Sequence, residues 1–256
     1  MTIPSYLINL ARDPERLAEM QARFRALGIA FTRVEAVDGK MMTAAELDTV
    51  CAPHRAWLPL KPNEVACALS HRKCWQMIAD GAASHGCVFE DDMLLSPRLP
   101  AFLSDAAWIP ADADIVKIEE SFNRVWIDVP PREVGQGFRL GRVRSTHYRA
   151  GAYIVSRTGA KRLLAMTERI SLPLDLILFD YALGKASRLV TYQMFPALAV
   201  QKKGAALEEI GSAVGRSDFK RRGELARQGR RYAEELRKLG HRLRGRRRTA
   251  IGFDES

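Results

Sequence analysis

The sequence predicts an α/β fold in which a parallel sheet carries helices on its faces, followed by a basic helical tail. The first forty residues follow a strand, helix, strand pattern, which is typical of the start of such a sheet. Apolar strand-like runs and helical patterns then alternate as far as residue 200. Positive charge is concentrated after residue 215, and this predicts the tail.

The first forty residues form the predicted β-α-β unit. Residues 6–10 are a compact apolar run typical of a central strand. Asp13, Pro14 and Glu15 supply the cap, the first-turn proline and the first-turn acid of a helix that Gly28 ends. Residues 29–37 predict the next strand, which leads to Asp38.

The remaining elements follow in order. Thr43 and Glu46 have capping-box spacing and predict a short helix, and Ser156 or Thr158 can cap a later one. Residues 122–149 show little periodicity and predict a hairpin or a long loop. The other predictions are helices at residues 63–80 and 176–183, and strands around Val88 and at residues 114–118, 150–155 and 188–200.

Length and composition exclude several classes of protein. The chain has 256 residues, 47% hydrophobic and 27% charged, so it can bury a full core and is not a disordered chain. It contains no run of about 18 apolar residues, and its first residues lack a basic region. We therefore expect no membrane-spanning helix, no secretory signal and a cytoplasmic location.

The four cysteines show no CxxC pairing, which argues against a zinc ribbon and against a secreted disulfide framework. Cys67, His71 and Cys74 are spaced to share one face of a helix, where they could hold a soft metal ion. The alternative is that small buried cysteines pack this helix face.

The basic excess belongs to the C-terminal tail. Residues 216–248 contain fourteen Lys or Arg and four Asp or Glu, and their leucines recur as one apolar stripe. This pattern predicts a globular domain at residues 1–205 and a basic amphipathic extension at residues 206–256 that binds an anionic membrane surface. Two alternatives remain open: a helix docked on its own domain, and an arm that binds nucleic acid.

Glu90, Asp91 and Asp92 directly follow the apolar residues of the Val88 strand. Three adjacent carboxylates repel one another and resist burial, so a fold tolerates them most easily where a cation neutralises them. They predict a metal site, with a solvated acidic turn as the alternative.

Four stretches, in this order, resemble glycosyltransferase family 25, which includes bacterial lipooligosaccharide galactosyltransferases and collagen galactosyltransferases. They are residues 6–16, residues 34–39, residues 66–71 leading to 88–92, and residues 153–156 followed by Gly159 and Ala160. The resemblance covers about residues 5–200. It implies a GT-A fold, a Rossmann-like nucleotide-sugar-binding sandwich. It also implies inverting transfer of a hexose, most often galactose, from a UDP-sugar.

The resemblance also implies roles for individual residues. Asp92 is the expected direct ligand of Mn²⁺ or Mg²⁺, with Glu90 as a second ligand or, like Asp91, a contact to the ribose or a metal-bound water. Some of these residues have a simpler alternative role. The arginines can be surface charges, Asp38 can form a turn, and His71 can make a structural hydrogen bond. The residues expected to contact the nucleotide sugar are Asn9, Leu10, Arg12, Arg16, Asp38, Ser70, His71, Glu90 and Asp91.

Inverting transfer needs a base that takes the proton of the acceptor hydroxyl. By resemblance Asp175 is the first candidate, and Glu119 and Glu120, after the predicted strand at residues 114–118, are the others. A cap at the start of the next helix explains Asp175 equally well.

Together these expectations describe a transferase on the inner face of the cytoplasmic membrane that extends a lipid-linked glycan of the lipooligosaccharide or lipopolysaccharide type. The competing functions are a metal-dependent glucosyltransferase for a protein or another glycan, and a metal-dependent phosphotransferase or hydrolase. A non-catalytic nucleic-acid-binding protein explains the tail, but it leaves the acidic triplet unexplained.

Overall fold

The computed structural model describes residues 2–52, 60–180, 186–202 and 239–256, and for residues 121–123 it describes the backbone alone. Strands and helices alternate over the first part of the chain, as predicted. The helices are α1 Pro14–Ala26, α2 Ala44–Val50, α3 Pro62–Asp80, α4 Leu99–Leu103, α5 Arg157–Met166 and α6 Leu174–Phe179. The strands are β1 Ser5–Asn9, β2 Phe31–Glu35, β3 His85–Glu90, β4 Met93–Leu95, β5 Ile115–Lys117, β6 Ser121–Asp128, β7 Arg132–Gly135, β8 Phe138–Arg142, β9 Ala152–Ser156, β10 Thr191–Phe195, β11 Ala199–Gln201 and β12 Arg246–Ile251.

Eight strands form one central sheet in the order β2-β1-β3-β9-β5-β10-β8-β7. The predicted parallel pairing is confirmed for β2, β1 and β3 and for β5 with β10. It is wrong for β9, which runs antiparallel to both β3 and β5, and for β8, which runs antiparallel to β10. Because a strand buried on both faces is apolar whichever way it runs, its sequence does not reveal its direction.

Alternate residues of the central strands belong to two separate apolar clusters, one on each face of the sheet. Tyr6 and Val88 pack with α3, α5 and α6. Leu7 and Phe89 pack with α1 and α4. The α/β fold class is therefore confirmed, and the carboxyl ends of β1, β2, β3, β5 and β10 meet at one edge of the sheet.

The predicted helix starts are confirmed at two places. Thr43 and Glu46 form a reciprocal capping box before α2. The Ser156 hydroxyl accepts a hydrogen bond of 3.0 Å from the backbone N–H of Gly159 at the start of α5. The helix predicted at residues 176–183 begins earlier, at Leu174, and ends earlier, at Phe179, where the extended backbone of Asp180 stops it.

The segment predicted as a hairpin or loop, residues 122–149, contains three strands. Strands β7 and β8 form the hairpin, and β6 pairs with β12 outside the main sheet. Val125 and Ile127 of β6 are buried at alternate positions, but β12 begins with three consecutive arginines and shows no apolar alternation, so its sequence gives no sign of a paired strand.

The end of the chain is part of the folded domain. Arg246–Ile251 forms β12, Phe253 pairs with Ala197, and Asp254 accepts a hydrogen bond of 2.5 Å from the Ser96 hydroxyl. The predicted basic helix is therefore wrong for residues 246–248, which form a strand. Residues 203–238 lie outside the described part of the chain. They include residues 216–238 of the predicted helix and the predicted domain boundary between residues 205 and 206.

Over the described part of the chain, we find no helix with the length and apolarity needed to cross a membrane.

Candidate functional site

A cavity of about 250 Å³ opens at the carboxyl ends of β1, β2 and β3, and α3 forms its other wall. Ligands of open α/β sheets bind at this edge. Residues predicted to form the site from four separate segments of the sequence meet here. They are Asn9, Leu10, Arg12, Arg16, Asp38, Ser70, His71, Glu90, Asp91 and Asp92.

The acidic triplet begins at the last residue of β3 and continues into the turn before β4. The Asn9 side chain, at the end of the neighbouring β1, donates a hydrogen bond of 2.7 Å to Asp91 Oδ2. The guanidinium of Arg16 lies 3.1 Å from Asp91 Oδ1 and 3.1 Å from Asp92 Oδ2. One exposed arginine thus bridges two of the three acids.

The surroundings of Asp92 suit a cation. Asp92 Oδ2 accepts a hydrogen bond of 2.7 Å from the Gln201 amide. Asp92 Oδ1 is buried and has no hydrogen-bond partner among the described residues, and the same is true of Asn9 Oδ1. A buried oxygen without a donor is costly unless something else satisfies it. Oxygen ligands of this kind are the type that Mn²⁺ and Mg²⁺ take, so the residues present fit such an ion.

The three carboxyls have different proton affinities. Burial, together with the negative charge of Glu90, raises the pKa of Asp92, and burial raises that of Asp91. Burial opposes ionisation of Glu90 as well, but the hydrogen bond and positive charge of His71 outweigh it and lower the pKa of Glu90. A divalent cation would offset the cost of ionising Asp91 and Asp92.

His71 lies on the buried face of α3 and is held at both ring nitrogens. Its Nδ1 is 2.8 Å from the Tyr153 hydroxyl, and its Nε2 is 3.3 Å from Glu90 Oε1. The same hydroxyl accepts a hydrogen bond of 2.8 Å from the Trp75 indole. Neither Tyr153 nor Trp75 was predicted to be a site residue, because an aromatic residue in an apolar run gives no signal of a polar contact.

The group of Cys67, His71 and Cys74 predicted from helical spacing does not form as such. Cys74 is buried in the apolar cluster around Tyr6 and Trp75. The side chain that joins Cys67 and His71 is Glu90, and the candidate ligand atoms of these three residues lie within 4.8 Å of one another.

The turn after β2 brings further polar groups to the cavity. Arg12 forms an ion pair with Asp38. The backbone N–H of Lys40 and then the Arg12 guanidinium lower the pKa of Asp38. Gly39 lies so close to α3 that a Cβ atom there would be 2.7 Å from the Asn63 backbone, so only glycine lets this turn reach the helix. The Ser70 hydroxyl accepts a hydrogen bond of 2.8 Å from the Val37 backbone N–H, which fixes the turn.

Of the three candidate bases, Glu119 does not fit the role. Its side chain has no exposed surface, and it accepts a hydrogen bond of 3.0 Å from the Gly151 backbone and lies 3.5 Å from Lys117 Nζ. Burial lowers the pKa of Lys117 to about 8, although Glu119 opposes the shift. A fully buried lysine and glutamate hold the start of β9 against β5, so Glu119 has no path to an acceptor hydroxyl. A lysine inside the apolar run of β5 was the signal that could have revealed this pair.

Glu120 and Asp175 are both partly exposed, and neither lines the cavity. Asp175 lies in the first turn of α6, where its Oδ1 accepts a hydrogen bond of 2.8 Å from the backbone N–H of Leu176. Burial raises the pKa of Asp175, while this hydrogen bond and the positive charge of Lys117 oppose the rise. The residue at the cap position is Pro173, and no side chain caps the helix, so the predicted cap role of Asp175 is wrong. The Asp175 carboxyl binds its proton more tightly than a free aspartate does.

Comparison with known proteins gives the family. The family described as Glycosyltransferase family 25 (LPS biosynthesis protein) matches residues 2–178. The lacto-N-neotetraose biosynthesis glycosyltransferase LgtE of Neisseria gonorrhoeae is 29% identical over 249 residues, which cover 91% of this chain and 85% of the relative. The corresponding LgtB enzyme of Neisseria meningitidis serogroup B is 30% identical over 229 residues, covering 82% and 80%.

A more distant relative is procollagen galactosyltransferase 1-A of Xenopus laevis, which is 28% identical over 183 residues. That alignment covers 66% of this chain and 29% of the relative. The family match spans β1 to α6 and therefore includes every segment that lines the cavity. The chain belongs to glycosyltransferase family 25.

Proposed function

We propose that the protein is a metal-dependent, inverting transferase that moves a hexose, which we take to be galactose, from a UDP-sugar to a lipopolysaccharide or lipooligosaccharide glycan. Its family and the names of its bacterial relatives support this class of reaction. A GT-A fold, which the resemblance implied, is part of the proposal.

One observation carries the proposal. Asp92 Oδ1 and Asn9 Oδ1, two buried oxygens without partners among the described residues, belong to residues that line the cavity at the carboxyl edge of the sheet, as does the exposed Arg16. Asp92 and Glu90 would hold Mn²⁺ or Mg²⁺. When bound, the ion supplies electrostatic stabilisation of the negative charge that develops on the leaving diphosphate.

Cationic and polar residues of the cavity would bind the rest of the donor. Arg12 and Arg16 offer planar donors suited to phosphate oxygens, and the pair with Asp38 holds Arg12 at the cavity wall. Asn9, Leu10, Asp38, Ser70, His71 and Asp91 also line this space and would position the nucleotide and the sugar.

Asp175 is the proposed base. In an inverting displacement the acceptor oxygen bonds to the sugar C1 as the bond from C1 to the diphosphate oxygen breaks, and UDP leaves with that electron pair. The Asp175 carboxylate would take the acceptor proton, and its raised pKa brings its basicity closer to what a base needs near neutral pH. Glu120 is the remaining alternative, since Glu119 is fully buried.

The acceptor and the membrane complete the proposal. Residues 216–248 carry fourteen basic residues and four acidic ones. Each basic residue near an anionic leaflet contributes about 1 kcal/mol, so several suffice to hold the protein on the inner face of the cytoplasmic membrane, where a lipid-linked glycan would be its acceptor.

The test is a panel of donors. The full chain would be assayed with UDP-galactose, UDP-glucose, UDP-N-acetylglucosamine and GDP-mannose on a lipooligosaccharide core, with Mn²⁺, Mg²⁺ or EDTA. We expect glycan product from UDP-galactose with a divalent ion and none with EDTA. Turnover that EDTA leaves unchanged, a preference for UDP-glucose, or release of phosphate without glycan product would contradict the proposal.

A further inference from the structure

The floor of the cavity contains three side chains of the kinds that bind soft metal ions. Cys67 and His71 lie one turn apart on α3, and Glu90 ends the facing strand β3. His71 Nε2 is 3.3 Å and Cys67 Sγ is 3.9 Å from Glu90 Oε1. All three candidate ligand atoms lie within 4.8 Å of one another.

These separations are close to those of a tetrahedral zinc site. Bonds of about 2.0 Å to nitrogen or oxygen and about 2.3 Å to sulfur place the atoms of such a ligand set roughly 3.3–3.6 Å apart. The contact of His71 with Glu90 already has this length, and the contact of Cys67 with Glu90 is slightly longer. Because Cys67 and His71 share a helix face, side-chain rotation alone can shorten the remaining separation.

The surroundings of His71 support metal binding at its Nε2. Ligating histidines are usually fixed by a hydrogen bond at their other ring nitrogen, and Nδ1 of His71 has that bond, 2.8 Å long, to the buried Tyr153 hydroxyl. Tyr153 also stacks on the His71 ring with an interplanar angle of 13°. The ring is therefore held with Nε2 directed at Glu90.

We propose that Cys67, His71 and Glu90 form a Zn²⁺ site at the floor of the cavity. A thiolate, an imidazole and a carboxylate suit zinc, whereas Mn²⁺ and Mg²⁺ prefer oxygen ligands such as Asp92. The three residues leave a fourth position, and all three line the cavity, so that position faces its open space. This site is distinct from the one proposed at Asp92, although Glu90 is common to both.

Zinc at this site would occupy Glu90 and part of the donor space. Reversible inhibition of sugar transfer by Zn²⁺ follows, and this consequence rests on the proposed function. Metal binding at the three side chains does not rest on it, so a spectroscopic test distinguishes the two.

The test uses Co²⁺ as a spectroscopic substitute for Zn²⁺ on the untagged, reduced full chain. We expect a thiolate-to-cobalt charge-transfer band in the near ultraviolet, which Zn²⁺ removes by displacing Co²⁺. Cys67→Ser should abolish the band, and Tyr153→Phe should keep the band but lower the affinity about 10- to 100-fold. The far-ultraviolet circular dichroism of each variant shows whether it is folded.

Two control variants make the test specific. Cys51→Ser changes a free cysteine outside the cavity, and Asp92→Asn changes the separate proposed site, so both should retain the band. A wild-type protein without the band would overturn the proposal. A band that survives in folded Cys67→Ser, or that Cys51→Ser or Asp92→Asn removes, would also overturn it.

Discussion

Replacing Tyr153 by phenylalanine removes one oxygen from the centre of the site and leaves the ring in place. Tyr153 and Trp75 are both fully buried. The hydroxyl is the hydrogen-bond partner of the Trp75 indole and of His71 Nδ1, each at 2.8 Å. Tyr153→Phe therefore removes the hydrogen-bond partner of both the Trp75 indole and His71 Nδ1. It creates no cavity larger than the lost oxygen.

The expected loss of stability follows from those two groups. A buried polar group that loses its partner costs about 1–3 kcal/mol. The Trp75 N–H has no alternative acceptor among the contacts of the described residues, whereas His71 keeps its contact with Glu90 through Nε2. We expect the free energy of unfolding to fall by about 2–4 kcal/mol. For a chain of this size that lowers Tm by about 4–16 °C.

Urea unfolding followed by circular dichroism, together with calorimetry, measures this loss. Tyr192→Phe is the matched control, because the Tyr192 hydroxyl bonds Asp112 at an exposed position 3.0 Å away. The control should change the free energy of unfolding by no more than about 0.5 kcal/mol. If Tyr153→Phe is no less stable than Tyr192→Phe, the proposed hydrogen-bond network does not hold His71.

Three further predictions concern other parts of the chain. Asp114 is buried and accepts bonds of 2.9 and 2.8 Å from Arg162, so Asp114→Asn should cost about 1.5–3 kcal/mol in urea unfolding, and a loss below about 0.5 kcal/mol would contradict the role of this pair. Burial lowers the pKa of His147 well below that of the unfolded chain, so the unfolded state binds more protons and stability should fall as pH drops below about 6.5. His147→Gln should flatten that slope, and an unchanged slope would refute this cause. Changing the three basic residues at 220–222 to glutamine should weaken binding to anionic vesicles by up to about 3 kcal/mol, without removing β12, and unchanged sedimentation with vesicles would contradict the membrane contact.

The sequence predicted those features that depend on local pattern. The strand ending at Asn9, the strand ending at Glu90 and the long helix that carries His71 were all correct, because apolar period and end signals are local properties. Once three parallel strands are recognised, their carboxyl ends must meet. The cavity residues on those ends could therefore be grouped before the fold was known.

Features that depend on distant pairing could not be predicted in this way. The direction of β9 and the pairing of β12 with β6 are set by contacts between segments far apart in the chain. Glu119 looked available for catalysis because its sequence shows a carboxylate after a strand, but Gly151 and Lys117 enclose it. Likewise, helical spacing grouped Cys74 with His71, whereas the fold brings Glu90 to Cys67 and His71 from another strand.

The central claim is that Asp92 holds a divalent ion that binds the diphosphate of a UDP-sugar. The most direct measurement is the change in Tm that UDP with Mn²⁺ produces in the wild type and in Asp92→Asn. At about 100 times the dissociation constant the ligand adds about 2.7 kcal/mol, which raises the wild-type Tm by about 5–10 °C. We expect that shift in the wild type, little or none in Asp92→Asn, and an unaltered shift in the surface control Asp112→Asn. An equal rise in wild type and Asp92→Asn would contradict it.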